Sequence, residues 1–383
     1  MRGGYRCGAS VAVGGARRGR TFLPMQWLRP VAECDLRAMT AGRAGETRLG
    51  EVLQAADGEG RVPRGTRVAI VGIPEDVGVR ANLGRPGARR MWREALRALV
   101  HLQANATLDA SRIAVVGAVD VRDIQRKAKA EDGTLAEARR QASSDGRRAL
   151  RAAEGAAASL ARLRALCAEI DGRVASVVAA LRDDGAVPIV VGGGHNNALG
   201  ILAGCAKAAG RAMGCVNVDL HADLRAMEGR HSGNPFSYAL HRGALDRYAV
   251  VGLQECTANA TVLDAFRDPR LRAFTLDAMV RGEIDLASSI DAAVTHVGAS
   301  PATIEIDIDC VSGAPASATA ASGLSPREVR MCAARLSREL DVHAAHIAEG
   351  APELGAWPDG MLAKLVAELI CDLAKGICSR RAP

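Results

Sequence analysis

Aromatic residues make up 3% of this 383-residue chain, too few for the stacked platforms that hold single-stranded nucleic acid. Acidic residues are missing from the first 32 positions, which carry arginines at 2, 6, 17, 18, 20 and 29. Taking those six from the net charge of +7 leaves about +1, so the body is nearly neutral and its charge implies no nucleic-acid face. The ten cysteines contain no C-x-x-C pair, which removes a zinc ribbon and points to thiols packed in a reducing compartment. No apolar run approaches the roughly 20 residues that span a bilayer, so no membrane role is expected. There is no His-His dipeptide either.

The acid-free start, Met1 to about Pro24, resembles a mitochondrial or plastid transit segment and equally a disordered tail, so the location is cytoplasmic or organellar according to which holds. Residues 25–383, with 48% hydrophobic composition over the whole chain, are expected to form a single domain. Short β-branched runs alternate with helical patterns from Arg67 onward. Strands are expected at 68–71, 113–116, 188–191, 215–218, 248–252, 303–308 and 342–347. Leu160, Leu163, Leu166, Ile170, Val174, Val177 and Leu181 form one helical stripe; Leu362, Leu365, Leu369, Leu373 and Ile377 form another. The stretch 126–155 lacks such a stripe and reads as a solvated helix or insertion. Alternation of strand and helix predicts an α/β fold with a mainly parallel sheet covered on both faces.

Ligand-type residues follow three of the apolar runs. Gly192-Gly193-Gly194-His195, Asp219-Leu220-His221-Ala222-Asp223 and Asp307-Ile308-Asp309 each sit at a strand end, where open α/β sheets bind ligands. Alternation in extended backbone would turn Asp219, His221 and Asp223 the same way, and likewise Asp307 and Asp309. Singly, each string is more often a solvated turn. Jointly they read otherwise, because four ionised carboxylates directed at one point cost several kcal/mol unless cations offset them. Four carboxylates and two imidazoles suit two Mn²⁺ ions, and two such ions activate a water at neutral pH. His231, in the loop after the same strand as Asp223, is placed to carry a proton, and as plainly reads as a loop histidine.

The ordered set of GGGH, D-x-H-x-D, His231-Ser232-Gly233-Asn234-Pro235-Phe236, D-x-D and then Glu349 resembles the ureohydrolase superfamily of arginases, agmatinases and formimidoylglutamases, over roughly Arg67 to Lys375. The resemblance implies a three-layer α/β/α fold, usually a homo-oligomer, and two Mn²⁺ per chain. It implies His195, Asp219, Asp223 and Asp307 around one ion and Asp219, His221, Asp307 and Asp309 around the other. Asp223, His231 and Glu349 would be catalytic, Glu349 facing the amidine or guanidine. The chain is most similar to formimidoylglutamase-like members through Gly72-Ile73-Pro74-Glu75-Asp76-Val77-Gly78-Val79-Arg80, Asn82-Leu83-Gly84-Arg85-Pro86-Gly87, His221-Ala222-Asp223-Leu224-Arg225 and Glu349-Gly350-Ala351-Pro352. That implies hydrolysis of N-formimino-L-glutamate to glutamate and formamide.

Chemistry gives Arg225 a matching task, since a guanidinium grips a carboxylate with two parallel hydrogen bonds. Arg85, Asn197 and Ser232 are further candidate contacts. Arg80 reads more readily as a partner of surface acids. Arginine, agmatine and guanidino acids remain alternative substrates, and a non-catalytic arginase-like subunit is the rival from another class. A deacetylase of related architecture is disfavoured by the missing histidine pair. Asn196, Cys310-Val311-Ser312-Gly313 after the second aspartate pair, and Ser232 between His231 and Gly233 depart from the usual pattern. Glu305, of the same parity as Asp307, is expected near the ions or beside a supporting partner; Cys310, of opposite parity, is expected in the core.

Overall fold

The computed structural model describes residues 25–141 and 147–380, so the arginine-bearing start, read above as a transit segment or tail, lies outside the described residues. Ten strands form one sheet: β1 (Leu28–Pro30), β2 (Gln54–Ala55), β3 (Val68–Gly72), β4 (Ile113–Val119), β5 (Val187–Val191), β6 (Met213–Val218), β7 (Leu245–Leu253), β8 (Leu271–Thr275), β9 (Pro301–Asp307) and β10 (Asp341–Ala348). Their spatial order is β1-β4-β3-β5-β10-β9-β6-β7-β8, with β2 beside the first half of β4. Every pairing is parallel except β1 with β4.

Period-two alternation along these strands feeds two cores. Val68 and Ile70 of β3, Ile189 and Val191 of β5, and Ile304 and Ile306 of β9 pack with helices Met91–Val100, Pro326–Glu339 and Met361–Ser379. Ala69 and Val71 of β3 and Val190 of β5 point the other way, onto helices Arg147–Asp183 and Asn197–Ala209. The result is three layers, helices on both faces of one sheet. Spacing of three and four does what it predicts on both long helices: Leu163, Ile170, Val174, Val177 and Leu181 are buried, as are Leu362, Leu365, Leu369, Leu373 and Ile377. The 126–155 stretch is helical in Arg122–Ala130, Asp132–Gln141 and the start of Arg147–Asp183, with a turn at Glu131 between the first two. Among the described residues no helix is long and apolar enough to cross a membrane.

β1, β2 and β8 were not among the expected strands. β1 holds three residues and ends in Pro30, β2 holds two, and β8 alternates at the sheet edge, so none carries a run of apolar residues.

Candidate metal centre

Four neighbouring strands in the middle of the sheet, β5, β10, β9 and β6, end on one side and deliver every expected ligand there. His195 follows β5, Glu349 follows β10, Asp307 ends β9, and Asp219 follows β6. The loop after β5 needs its glycines. Gly193 has φ +78°, and a Cβ there would sit 2.3 Å from Asn197 Nδ2 and 2.9 Å from Glu75 Oε1. Glu75, fully buried, ties that loop down: its Oε1 accepts from the Gly194 N–H at 2.9 Å and from Asn197 Nδ2 at 2.6 Å.

Strand alternation is not what aims the second member of each aspartate motif, and here the structure corrects the expectation. Asp307 Oδ1 accepts the Asp309 N–H at 2.8 Å, which curls the end of β9 into a 3₁₀ turn at Ile308–Cys310. Asp219 Oδ1 accepts the His221 N–H at 2.7 Å in the same manner. A carboxylate that caps its own turn swings the residue two positions on back toward itself. Asp223 and Glu349 take φ of 50° and 62°, left-handed values rare for residues with a Cβ, at a cost of about 1–3 kcal/mol each.

The expected donor atoms fall into two groups, one of His195, Asp219, Asp223 and Asp307 and one of Asp219, His221 and Asp309, while His195 also stands in a third with Glu305 and His346. Asp219 belongs to the first two, with Oδ2 3.2 Å from His195 Nδ1 and Oδ1 3.5 Å from His221 Nδ1. Asp307, expected to bridge as well, stands in the first group, its Oδ2 3.1 Å from His195 Nδ1, and its Oδ1 accepts the Asp309 N–H as Asp219 Oδ1 accepts that of His221. Asp309 Oδ2 lies 3.0 Å from His221 Nδ1. His195 Nδ1 is buried and within 3.2 Å of three carboxylates, yet aligned for a hydrogen bond with none.

That arrangement fits cations better than it fits protons. Burial pushes Asp223 up to about 6, and burial together with neighbouring aspartates raises Asp307 from its ordinary value and Asp309 well above it. Burial also raises Glu349, to about 8, with Asp307 adding to it. Asp219 alone of this set is held low: burial opposes its charge, and the His195 and His221 contacts overcome that. Carboxylates crowded beyond what their histidines can compensate are a donor set that divalent cations stabilise.

A cavity of about 360 Å³ opens over these groups. Asp223, Asp307, Asp309, His221 and Glu349 line it, and so do Arg225 and Ser232. Arg225 donates from Nη1 to Asn82 Oδ1 at 2.6 Å, and Asn82 Nδ2 donates to Ser232 Oγ at 3.1 Å. Asn197 and Arg85, expected to touch substrate, do not line the cavity. Asn197 is buried at the first turn of its helix, its Nδ2 donating to Glu75 and to the Gly194 carbonyl. Arg85 instead clamps the 316–319 loop, donating to the Ala316 and Ser317 carbonyls at 3.0 Å and to Thr319 Oγ1 at 2.8 Å. Arg80 pairs with Asp76 and Asp132.

His231 is fully buried, and Ser232 and Gly233 rather than its ring line the cavity. Burial, aided by Arg225, Arg164 and Arg230, pushes its imidazole down to about 3, and its Nδ1 accepts the Gly233 N–H at 3.1 Å. A ring so held neutral and turned to its own loop lends no support to proton carriage.

A family model described as the arginase family matches residues 66–375. The chain belongs to the arginase family. It is 33% identical over 231 residues to the formimidoylglutamase of Aromatoleum aromaticum, covering 55% of this chain and 64% of that one. To the formimidoylglutamase of Chromobacterium violaceum it is 28% identical over 320 residues, covering 80% of this chain and 87% of the relative. A structure of a Trypanosoma cruzi formiminoglutamase variant with Mn²⁺ superimposes with a TM-score of 0.66 at 21% identity, over 88% of this chain and 99% of that one. The arginase-like α/β fold expected from the motifs is the fold observed.

Within this arginase-family chain, several supporting residues escaped sequence reasoning. Ser317 donates its hydroxyl to Glu349 Oε2, while Oε1 accepts the His195 N–H at 2.7 Å, so Glu349 is held at both ends. Glu305, expected near the ions or beside a supporting partner, sits behind His195, its Oε2 3.6 Å from His195 Nε2 and 2.7 Å from Nδ1 of the buried His346. His346 Nε2 lies 3.2 Å from the Gly192 carbonyl. The parity of Glu305 was the one readable signal; nothing local in Val342–Ile347 marked His346 as its partner. Cys310 is buried in the core, as expected, although it lies in the 3₁₀ turn after β9 and not on the strand whose parity suggested it.

Proposed function

We propose that this chain is a binuclear manganese hydrolase of linear amidines that converts N-formimino-L-glutamate and water to L-glutamate and formamide. The observation that carries the proposal is the convergence of six ligand-type side chains beneath a cavity whose wall also holds Arg225. His195, Asp219, Asp223 and Asp307 would hold one ion, and Asp219, His221 and Asp309 the other. Two such ions, when bound, lower the pKa of a water enough to make it a nucleophile near neutral pH and polarise the group it attacks. Hard oxygen donors with two imidazoles favour Mn²⁺ over thiolate-seeking metals.

The chain's own residues bind the substrate and handle its protons. Glu349, fixed between Ser317 and the His195 backbone, faces the cavity, and its carboxyl, ionised once cations offset the neighbouring Asp307, would be the counter-charge for an amidinium. Asp223 lines the cavity beside Asp307 and Asp309, where its carboxylate is placed to steer the proton of the attacking water toward the departing amine. Water adds to the formimino carbon, the bond from that carbon to the glutamate nitrogen breaks, and the proton converts that nitrogen to the amine. Arg225, steadied through one nitrogen by Asn82, keeps its other N–H groups for a substrate carboxylate. A homo-oligomer, tested by sedimentation, belongs to the same reading.

One observation favours a second substrate. Arg225 is the one lysine or arginine among the residues lining this cavity, and N-formimino-glutamate carries two carboxylates. A guanidino acid with a single carboxylate matches that count. Turnover of N-formimino-glutamate, arginine, agmatine and guanidinobutyrate by the Mn²⁺-loaded protein separates the readings, and agmatine as the preferred substrate would remove the role of Arg225. Arg225→Ala is expected to raise KM for the carboxylated substrate about 10–100-fold, with a smaller effect on kcat, the loss of a charge-assisted contact of about 1.5–3 kcal/mol. Asp223→Asn is expected to abolish turnover. Substoichiometric Mn²⁺ after reconstitution would favour the non-catalytic reading.

A further inference from the structure

A second cavity, of about 1100 Å³, lies at the edge of the sheet where β1 pairs with β4. Its charge is opposite to that of the candidate metal centre, with seven arginines and two aspartates in its wall. Both aspartates are already taken. Asp120 receives Arg122 at 2.9 and 2.7 Å, and Asp123 receives Arg173 at 2.7 and 2.8 Å. Arg90 reaches Glu353 at 2.5 Å, and Arg89 lies 3.5 Å from Asp76. The side chains of the other three, Arg29, Arg93 and Arg126, form no ion pair within 4.0 Å among the described residues, although Arg29, after Arg122, adds to the positive charge that holds the Asp120 carboxyl low.

Six of these arginines belong to the near-neutral body and Arg29 to the acid-free start, and together they gather positive charge in one hollow. On a convex surface three such guanidinium groups would diverge into solvent. In a cleft with low-dielectric walls they reinforce one another and concentrate positive potential. Trp27, with the Arg173 guanidinium 4.2 Å over its ring, and the nearly buried Trp92 supply apolar wall between the charges. Paired N–H groups of arginine match phosphate and carboxylate oxygens, and the volume is near the upper end for small-molecule sites. We propose that this cleft binds a small polyanion, a molecule with at least two phosphate or carboxylate groups, held by Arg29, Arg93 and Arg126.

Trp27 and Trp92 are two of the chain's three tryptophans, so intrinsic fluorescence reports on the cleft. The Mn²⁺-loaded full chain is titrated with fructose 1,6-bisphosphate and separately with tricarballylate, each against NaCl at matched ionic strength. A saturable change with either, absent with NaCl, is expected, and the responding arm tells phosphate from carboxylate. Arg93→Ala combined with Arg126→Ala, both exposed side chains outside the first cavity, is expected to weaken that affinity at least about tenfold while leaving the melting temperature and amidine turnover unchanged. No saturable change with either probe would overturn the proposal, as would equal affinity in the double variant. Loss of a homo-oligomer in the double variant, seen by sedimentation without any saturable quenching, would assign the cleft to a second copy of the chain and overturn it too.

Discussion

Replacing Glu75 with glutamine tests whether one buried carboxylate holds the histidine-bearing loop in place. Every group around that carboxylate is a donor. Oε1 receives the Gly194 N–H at 2.9 Å, Asn197 Nδ2 at 2.6 Å and Asn196 Nδ2 at 3.3 Å; Oε2 receives the Val77 N–H at 2.6 Å and the Gly78 N–H at 3.4 Å. Glutamine has an acceptor at one end and a donor at the other, so in either orientation its NH₂ meets N–H groups. Two hydrogen bonds to a charged acceptor, the fewest it can lose, represent about 3–6 kcal/mol gross at about 1.5–3 kcal/mol each. Part of that is offset, because burial already raises the Glu75 carboxyl above its ordinary range and a neutral amide escapes that penalty. A net loss of about 2–4 kcal/mol remains. At roughly 2 °C per kcal/mol for a large chain, Glu75→Gln should melt about 4–8 °C lower in calorimetry of the metal-free protein. Equilibrium dialysis should show Mn²⁺ bound about 10–100-fold more weakly, since the loop carries His195. Melting within about 1 °C of the parent, together with undiminished Mn²⁺ affinity, would refute the argument.

Two further outcomes follow from buried and half-buried charge. Glu305→Gln keeps the shape of the group behind His195 but removes the charge beside His346, and Mn²⁺ affinity measured by dialysis should fall about 10–100-fold while far-ultraviolet circular dichroism is unchanged; unaltered affinity would show that Glu305 only fills space. Asp123 is held at about 2 by its hydrogen bonds from Arg173, below the ordinary 3.8, so the unfolded chain takes up that proton more readily than the folded one. Its contribution is therefore complete above about pH 4 and is lost as pH falls through 2. The side chain is 40% exposed, which keeps the effect small. Urea titrations of Asp123→Asn and the parent should differ at pH 6 and converge near pH 2; a gap independent of pH would refute the linkage.

How much was legible beforehand depended on whether a role lay in a local pattern. The positions of His195, Asp219, Asp223, Asp307 and Glu349 were readable because each follows an apolar run that becomes a central strand. The route by which His221 and Asp309 reach them was not, because a carboxylate that caps its own turn leaves no trace in hydrophobic periodicity. Arg85 and Asn197 were misread for a related reason. An arginine or asparagine in a glycine-bearing loop looks the same in sequence whether it faces a ligand or a backbone carbonyl more than 200 residues away, as Arg85 does. The overall charge was likewise a poor guide to its local distribution: a body near neutrality still gathers six arginines, joined by Arg29 of the acid-free start, in one hollow.

The order of the strands has a bearing on how this molecule assembles. β10, last of the strands in the chain, is hydrogen-bonded to β5 on one side and β9 on the other. Until it arrives, β1 to β5 and β6 to β9 are two half-sheets with no backbone pairing between them. His195 rides on the first half and all four aspartates on the second. A nascent chain lacking its final strand thus carries an incomplete set of donors, so tight binding of the proposed ions would be coupled to closure of the whole sheet, and their capture would be a late checkpoint in maturation.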